Sequence, residues 1–241
     1  MRILMASLVV VLGLAGGAPA GATSPAAPPA GAPTAAAAAA AAEQPIAQFP
    51  DVFTERSLGK PDAPVTLIEY SALTCSHCAD FHREVLPRIK ADYIDTGKVR
   101  LVFREFPFSQ VGIRAAMAAR CLPPERYYDF VQALFDTQKT WADAPNGDQM
   151  VQQMAGFAGL SFDQYTACVG NERILNHVLQ MRVDATNNFE INSTPTILIQ
   201  GVLERIVGAQ PYATFAGMID RQLTRLGVAV PAHTPPAAPA P

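Results

Sequence analysis

The feature that most constrains this chain is a pair of cysteines, spaced Cys-Ser-His-Cys, at a point where a strand gives way to a helix. The segment APVTLIEYSAL (63–73) is a short apolar run rich in β-forming residues and predicts a buried strand. After it, apolar residues recur every fourth position, a helical period that continues past Pro87, at Phe81, Val85, Ile89 and Tyr93. Cys75 and Cys78 are therefore predicted in the first turn of this helix.

The remaining pattern predicts a mixed α/β order. KVRLVFREFPF (98–108) is a second strand candidate, and TPTILIQG (194–201) is a third. VLERIVG (202–208) is predicted to pair with the third strand as a hairpin, and a closing helix follows it. Residues 110–189 show several helical stretches and no convincing strand. The predicted order is β-α-β, a block of helices, and then β-β-α.

Both ends of the chain differ in composition from its middle. Residues 1–20 carry one basic residue, an apolar run and the Ala-Pro-Ala of a cleavage site, which predicts an export signal peptide. The run is short for a membrane span, which needs about 20 residues, so an uncleaved anchor is the weaker alternative. Residues 21–50 and 231–241 are rich in Ala and Pro and are predicted to be a disordered linker and tail. The folded part is expected to be about 180 residues long, from 51 to 230.

Charge and metal-ligand spacing exclude two classes of function. The 18 basic and 21 acidic residues give a net charge of -3 without a basic stripe, so we predict no nucleic-acid partner. Cys75, Cys78 and His82 resemble part of a zinc clip, but no fourth ligand is evident, and closed structural zinc sites almost always have four. We therefore predict no bound metal and expect His82 on the helix surface.

The position of the cysteines favours a reactive dithiol over an inert staple. A helix N-terminus carries unpaired N–H groups and a dipole that favour negative charge, and the thiolate is the reactive form of cysteine. Cys75 is predicted to lie there, with Cys78 facing inward beside it. His77, between them, would add a second stabilising charge to the Cys75 thiolate when protonated.

The motifs CSHC at the strand–helix junction and STPT before a late strand resemble those of the DsbA-like thiol:disulfide oxidoreductases. The resemblance covers roughly residues 51–227. It implies a thioredoxin fold with an inserted α-helical domain, in which residues 51–108 and 190–230 form the thioredoxin-like domain and residues 109–189 the insert. It implies no cofactor beyond the cysteines themselves.

The resemblance also implies roles for individual residues. Cys75 matches the exposed nucleophile, Cys78 the resolving cysteine, and His77 the histidine that stabilises the reduced thiolate. Pro195 matches a cis-proline that faces the disulfide and leaves the backbone of Thr194 free to bind an extended substrate. The alternative for Pro195 is an ordinary turn proline at the start of a strand.

Three further residues have open interpretations. Glu69, in an otherwise apolar strand, is a candidate proton relay to Cys78, with Arg104 as its possible partner; alternatively, Glu69 points to solvent. Cys121 and Cys168 both lie in the inserted block, and in an exported protein a structural disulfide between them is expected. Two free buried thiols, or a second redox-active pair, are the alternatives.

These features together predict a periplasmic oxidase that introduces disulfide bonds into unfolded or newly exported cysteine-containing proteins. A membrane reoxidant of the DsbB type is implied by the resemblance, and we expect a monomer. The Ser-His dipeptide between the cysteines and Thr194 before Pro195 leave open a disulfide isomerase or reductase of the same fold. A redox-inert binding or chaperone module is the alternative from another class.

Overall fold

A computed structural model describes residues 46–233 of the chain. Its strands form one mixed sheet and are β1 (Arg56–Leu58), β2 (Val65–Ser71), β3 (Val99–Glu105), β4 (Thr196–Ile199) and β5 (Arg205–Val207). The strand order is β1-β3-β2-β4-β5, in which β2 and β3 are parallel and the other neighbours are antiparallel. Every strand predicted from the sequence is present, and β4 and β5 form the predicted antiparallel pair.

Strand β2 occupies the centre of the sheet, between β3 and β4. Val65 and Leu67 are fully buried there, as the apolar run predicts. A central strand has both edges hydrogen-bonded, so the chain that leaves β2 at Ser71 starts from a fixed position. The short edge strand β1 was not predicted, because three residues give no periodicity; it forms by pairing with β3.

The helix after β2 continues past Pro87, as predicted. It consists of α1 (Ser76–Asp80), a π-helical turn (Phe81–Val85), α2 (Leu86–Ile89) and a second π-helical turn (Lys90–Ile94). Proline has no N–H to donate back along a helix, and the wider turn directly before α2 accommodates its ring. The apolar stripe of this helix faces the sheet, and Phe81, Ile89 and Tyr93 are fully buried.

Within the described residues, the segment between β3 and β4 is helical and contains no strand, as predicted. Its helices are α3 (Gln110–Cys121), α4 (Pro124–Asp136), α5 (Gln138–Trp141), α6 (Gly147–Phe157), α7 (Phe162–Val169) and α8 (Glu172–Phe189), and the closing helix is α9 (Tyr212–Arg225). The core of this helical block includes Cys78 and Phe103 from the thioredoxin-like part. The insert therefore packs directly against the cysteine-bearing helix.

Two buried connections hold the insert in place. Cys121 and Cys168 form a disulfide that joins the end of α3 to α7. The buried guanidinium of Arg120 donates to both carboxylate oxygens of Glu105 at 2.6 and 2.8 Å. Arg120 also donates to the carbonyls of Val52 and Thr54 at 3.2 and 3.1 Å, so it joins the N-terminal segment, β3 and α3. An Arg held by a carboxylate fork and two carbonyls has its buried charge compensated.

The packed part of the chain extends slightly beyond the predicted boundaries. Phe49, assigned to the linker by its composition, is buried in the core of the helical block. At the other end, His233 lies 3.0 Å from the hydroxyl of Tyr93 and 3.0 Å from a carboxylate oxygen of Asp220. The predicted signal peptide and most of the linker and tail lie outside the described residues. Between 46 and 233, no helix is both long and apolar enough to cross a membrane.

Candidate active site

The two cysteines of the Cys-Ser-His-Cys segment follow the C-terminal end of β2, and neither forms a disulfide. Cys75 is the N-cap residue of α1, with an extended backbone (φ -88°, ψ 122°), and its side chain is partly exposed. Cys78, one turn later, is completely buried at 0 % exposure. The fold therefore presents one sulfur to solvent and keeps the other inside.

The surroundings of Cys75 favour its thiolate. The largest influence on the pKa of Cys75 is a hydrogen bond with the Cys78 side chain, which lowers it, whereas burial raises it. The side chain of Thr194 and the backbone N–H groups of Cys78 and His77 lower it further, to about 5 from a model-compound value of 9.0. Hydrogen bonds to a charged form stabilise that form, and here the donors come from the first turn of a helix. These surroundings therefore favour the thiolate of Cys75 at neutral pH.

Cys78 has the opposite character. Its pKa is raised well above its usual range, first by burial and then by the neighbouring Cys75. The N–H of Ala72 donates to the Cys78 sulfur at 3.5 Å, and the side chain of Ser71 also favours the charged form. The Ser71 hydroxyl is buried without a hydrogen bond of normal geometry, so it remains available to a charged sulfur. The pair thus divides into an ionised outer sulfur and a protonated inner one.

The side chain of His77 points outward. It is 70 % exposed, and its Nδ1 lies 3.9 Å from a carboxylate oxygen of Asp80. The backbone N–H of His77, however, is among the groups that lower the pKa of Cys75. The part of His77 that acts on the thiolate in this structure is its backbone, and stabilisation by the imidazole stays a prediction.

The Thr194–Pro195 peptide bond lies opposite Cys75 and is cis. The Cys75 thiol lies 3.5 Å from the carbonyl oxygen of Thr194, so the two segments meet although 119 residues separate them. Strand β4 begins directly afterwards at Thr196, and the carbonyl of Pro195 accepts from the N–H of Gly208 at 2.8 Å. The STPT segment therefore forms the second wall of the site.

Glu69 is buried, and its partner differs from the one expected. Its carboxylate oxygens lie 2.9 and 3.2 Å from Nε2 of His82, with exposures of 0 % for Glu69 and 1 % for His82. The expectations that His82 lies on the helix surface and that Arg104 pairs with Glu69 are both wrong, since Arg104 donates to Glu55 instead.

The insert explains why His82 is buried. The His82 ring packs at a tilt of 36° against Phe135 of α4, with 4.3 Å between centroids, and meets Phe103 edge-on. The insert therefore covers a face of the cysteine-bearing helix that would otherwise be exposed. Because Cys78 and His82 are four residues apart on one helix, the Glu69–His82 pair belongs to the same buried face as the inner sulfur.

Sequence reasoning missed a second group from the insert. Gln138, the first residue of α5, is 5 % exposed, and its Nε2 donates to the carbonyls of Leu73 and Cys75 at 2.8 and 2.9 Å. Its only sequence signal is an amide in a helical block 63 residues after Cys75. The peptide segment that carries the outer cysteine is therefore held from the insert.

No cluster of three or more His, Cys, Asp or Glu side chains suited to a metal occurs within residues 46–233. His82, the third residue of the apparent zinc clip, is turned toward Glu69. The two sulfurs of this site therefore have each other, backbone donors and Thr194 as neighbours, an arrangement suited to exchange of thiols and disulfides.

Comparison with known proteins agrees with this geometry. A family model described as thioredoxin matches residues 51–221. Over 179 residues the chain is 39 % identical to disulfide bond formation protein D of Bacillus anthracis, covering 71 % of this chain and 80 % of that protein. The crystal structure of alpha-DsbA1 from Wolbachia pipientis superimposes with a TM-score of 0.66 at 31 % identity, covering 72 % of this chain and 94 % of that one.

A protein of Rickettsia felis, named as a protein-disulfide oxidoreductase, is 28 % identical over 151 residues. The match covers 60 % of this chain and 52 % of the Rickettsia protein. The chain thus spans about half the length of this relative.

Proposed function

Because this chain belongs to the DsbA-like family of thioredoxin-fold thiol:disulfide oxidoreductases, we propose that it introduces disulfide bonds into exported proteins through Cys75 and Cys78. The observation that carries this proposal is the geometry at Cys75, a partly exposed sulfur at the N-terminus of α1 beside a buried Cys78, with surroundings that lower the pKa of Cys75 to about 5. A thiolate that is stable at neutral pH favours the reduced form of the pair over its disulfide. The disulfide form is then an oxidant that passes its bond to other proteins.

The exchange proceeds in two displacements. A substrate thiolate attacks the Cys75 sulfur of the oxidised pair; a new S–S bond forms, and Cys78 leaves with the electron pair of the broken bond. A second substrate thiolate then attacks the substrate sulfur of this mixed disulfide and releases Cys75 as a thiolate. The substrate loses two electrons and two thiol protons, and the pair ends reduced. The low pKa of Cys75 makes it a good leaving group in the second step.

Cys78 leaves into a buried environment and needs a proton there. Its raised pKa means that it captures one readily, and the Ala72 N–H and the Ser71 side chain stabilise the thiolate meanwhile. We assign the relay of this proton to Glu69, acting together with His82. A buried acid and imidazole in contact can exchange a proton at little cost in net charge.

Substrate binding is assigned to Thr194 and Pro195. The backbone of Thr194 lies beside the Cys75 sulfur, where an extended peptide with a cysteine at its centre would need partners. Backbone recognition of this kind is independent of side-chain identity. It suits unfolded or newly exported proteins of varied sequence.

Compartment and partners follow from the same proposal. The predicted signal peptide would place the protein in the periplasm, and the Cys121–Cys168 disulfide is of a kind that persists in oxidising compartments. Each turnover leaves the pair reduced, so a membrane reoxidant of the DsbB type must restore the disulfide. The site is built within one chain, in keeping with a monomer.

The reduction potential of the Cys75–Cys78 pair tests the proposal. The full chain would be equilibrated with glutathione buffers, and the thiols trapped and counted, with a Cys75→Ser variant as the control that removes the pair. We expect a potential well above that of the glutathione couple, toward about -120 mV. A value near about -270 mV, as for thioredoxin, would replace the oxidase by a reductase.

The isomerase alternative rests on Thr194, the residue before the cis-proline. It would be favoured if the protein rearranged scrambled disulfides in a refolding substrate faster than it formed new ones. The Cys75→Ser variant should lose both activities, whereas a redox-inert binding module would retain its effect on refolding.

A further inference from the structure

Gln138 links the helical insert to the peptide segment that carries the nucleophile. Its side-chain amide group has two N–H bonds, and it lies within hydrogen-bond distance of two carbonyls, Leu73 at 2.8 Å and Cys75 at 2.9 Å. The side chain is almost entirely buried, so water does not compete for these carbonyls.

The two carbonyls lie on either side of Thr74, in the loop between β2 and α1. This loop sets the direction in which α1 begins, because Cys75 is its N-cap and the N–H of Cys75 donates to the carbonyl of Ala72 at 3.0 Å. The donors that lower the pKa of Cys75, the N–H groups of His77 and Cys78, belong to the first turn of that helix. The orientation of these N–H groups toward the Cys75 sulfur depends on the conformation in which the loop is held.

The Cys75 carbonyl accepts one hydrogen bond more than the helix itself supplies. It accepts from the N–H groups of Cys78 and Ala79, both at 3.1 Å, and from Gln138 in addition. The first two contacts come from the helix itself, whereas the third comes from the insert. A second contact between the same parts lies nearby, where Arg83 of the cysteine-bearing helix donates to the carbonyl of Phe135 at 3.1 Å. The segment 135–138 therefore forms hydrogen bonds both with the cysteine-bearing helix and with the loop before it.

We propose that Gln138 is a positioning residue through which the helical insert maintains the Cys75 thiolate and so sets the oxidising strength of the Cys75–Cys78 pair. The inference deepens the proposed function and rests on it. Without the amide, the loop 73–75 loses its two hydrogen bonds to Gln138 and keeps only its apolar packing against the insert, so the first-turn N–H groups are held less firmly toward the sulfur. The thiolate is then less favoured, and the disulfide becomes a weaker oxidant.

The test compares Gln138→Met with the full-length wild-type protein. Methionine has nearly the same length but no donor, so it keeps the packing and removes both hydrogen bonds. Gln180→Met is the matched control, since Gln180 lies in α8 of the same insert, is exposed, and donates to Asp184 at 2.8 Å. The pKa of Cys75 is measured from the ultraviolet absorbance of the thiolate against pH, and the equilibrium constant of the pair from glutathione buffers.

We expect Gln138→Met to raise the pKa of Cys75 and to shift the equilibrium constant toward the disulfide by about fivefold to tenfold, the factor for one net hydrogen bond. Gln180→Met should match the wild type. If Gln138→Met lowers the melting temperature but leaves the pKa and the equilibrium constant within about twofold of wild type, Gln138 is merely structural and the proposal is overturned.

Should Gln138→Met fail to fold, Gln138→Asn decides in its place. This variant keeps an amide but is one methylene too short to reach both carbonyls, so the same two shifts support the proposal and their absence refutes it. The proposed oxidase function is tested separately, by the reduction potential of the wild-type Cys75–Cys78 pair. The assignment of Gln138 depends only on the ratio between variant and wild type.

Discussion

Lowering the pH from about 7 to about 4 should remove a definite share of the stability of the reduced protein, because Cys75 gives up its charge. The pKa of Cys75 is lowered from 9.0 to about 5 in the folded state. A depressed pKa contributes stability that is complete above the unfolded-state pKa and is lost as the pH falls through the folded-state value. At pH 7 the folded pKa lies about two units below the pH. At 1.36 kcal/mol per unit this is worth about 2–3 kcal/mol, and partial exposure of Cys75 favours the lower figure.

The measurement is urea unfolding of the reduced protein and of Cys75→Ala at both pH values, with reductant mild enough to spare the buried Cys121–Cys168 disulfide. Other groups titrate in both proteins, so their contributions cancel in the difference between the two free energies of unfolding. We expect that difference to shrink by about 2–3 kcal/mol at the lower pH. If the two proteins lose stability in parallel, Cys75 is not a thiolate at pH 7 and the argument for an oxidant loses its basis.

Two other perturbations test the parts that support the site. Replacing Cys121 and Cys168 together by alanine should lower the free energy of unfolding by about 4 kcal/mol, the chain-entropy value for a loop closed across a sequence separation of 47; an unchanged urea midpoint would contradict this. Glu69→Leu should cost about 1–3 kcal/mol because it leaves the buried ring of His82 without its hydrogen-bond partner. The double variant with His82→Leu should be more stable than Glu69→Leu alone, and a strictly additive loss would show that the pair is not coupled.

The sequence alone was sufficient for the elements with a strong local pattern. The apolar run of β2 and the fourfold spacing in the helix after it place Cys75 at a helix N-terminus, and the structure agrees. Edge strand β1 could not be predicted from the sequence, because three residues are too few to show a hydrophobic period. The strand forms through its pairing with β3, which is a tertiary contact. The burial of Phe49 was missed because the Ala/Pro-rich composition before it outweighed one aromatic residue.

Two features of the site, the burial of His82 and the contacts of Gln138, were missed because the insert packs on the cysteine-bearing helix. Without a fourth ligand for a zinc clip, the sequence predicts His82 on the helix surface, but α4 covers this face of the helix and places Phe135 against the imidazole. The spacing of four residues from Cys78 was the available signal, because it places His82 on the same helix face as the buried cysteine. Gln138 had no such signal, because its partners are backbone carbonyls more than 60 residues away.

The burial of the Cys121–Cys168 disulfide has a consequence for the biogenesis of this protein. Cys168 is fully enclosed and Cys121 nearly so, which leaves no approach for an attacking thiolate once the helices have packed. We therefore expect the bond to be made while this part of the chain is still open, before the helices have packed around it. A protein that we propose supplies disulfides to others is thus expected to receive one itself, before its own structure is complete.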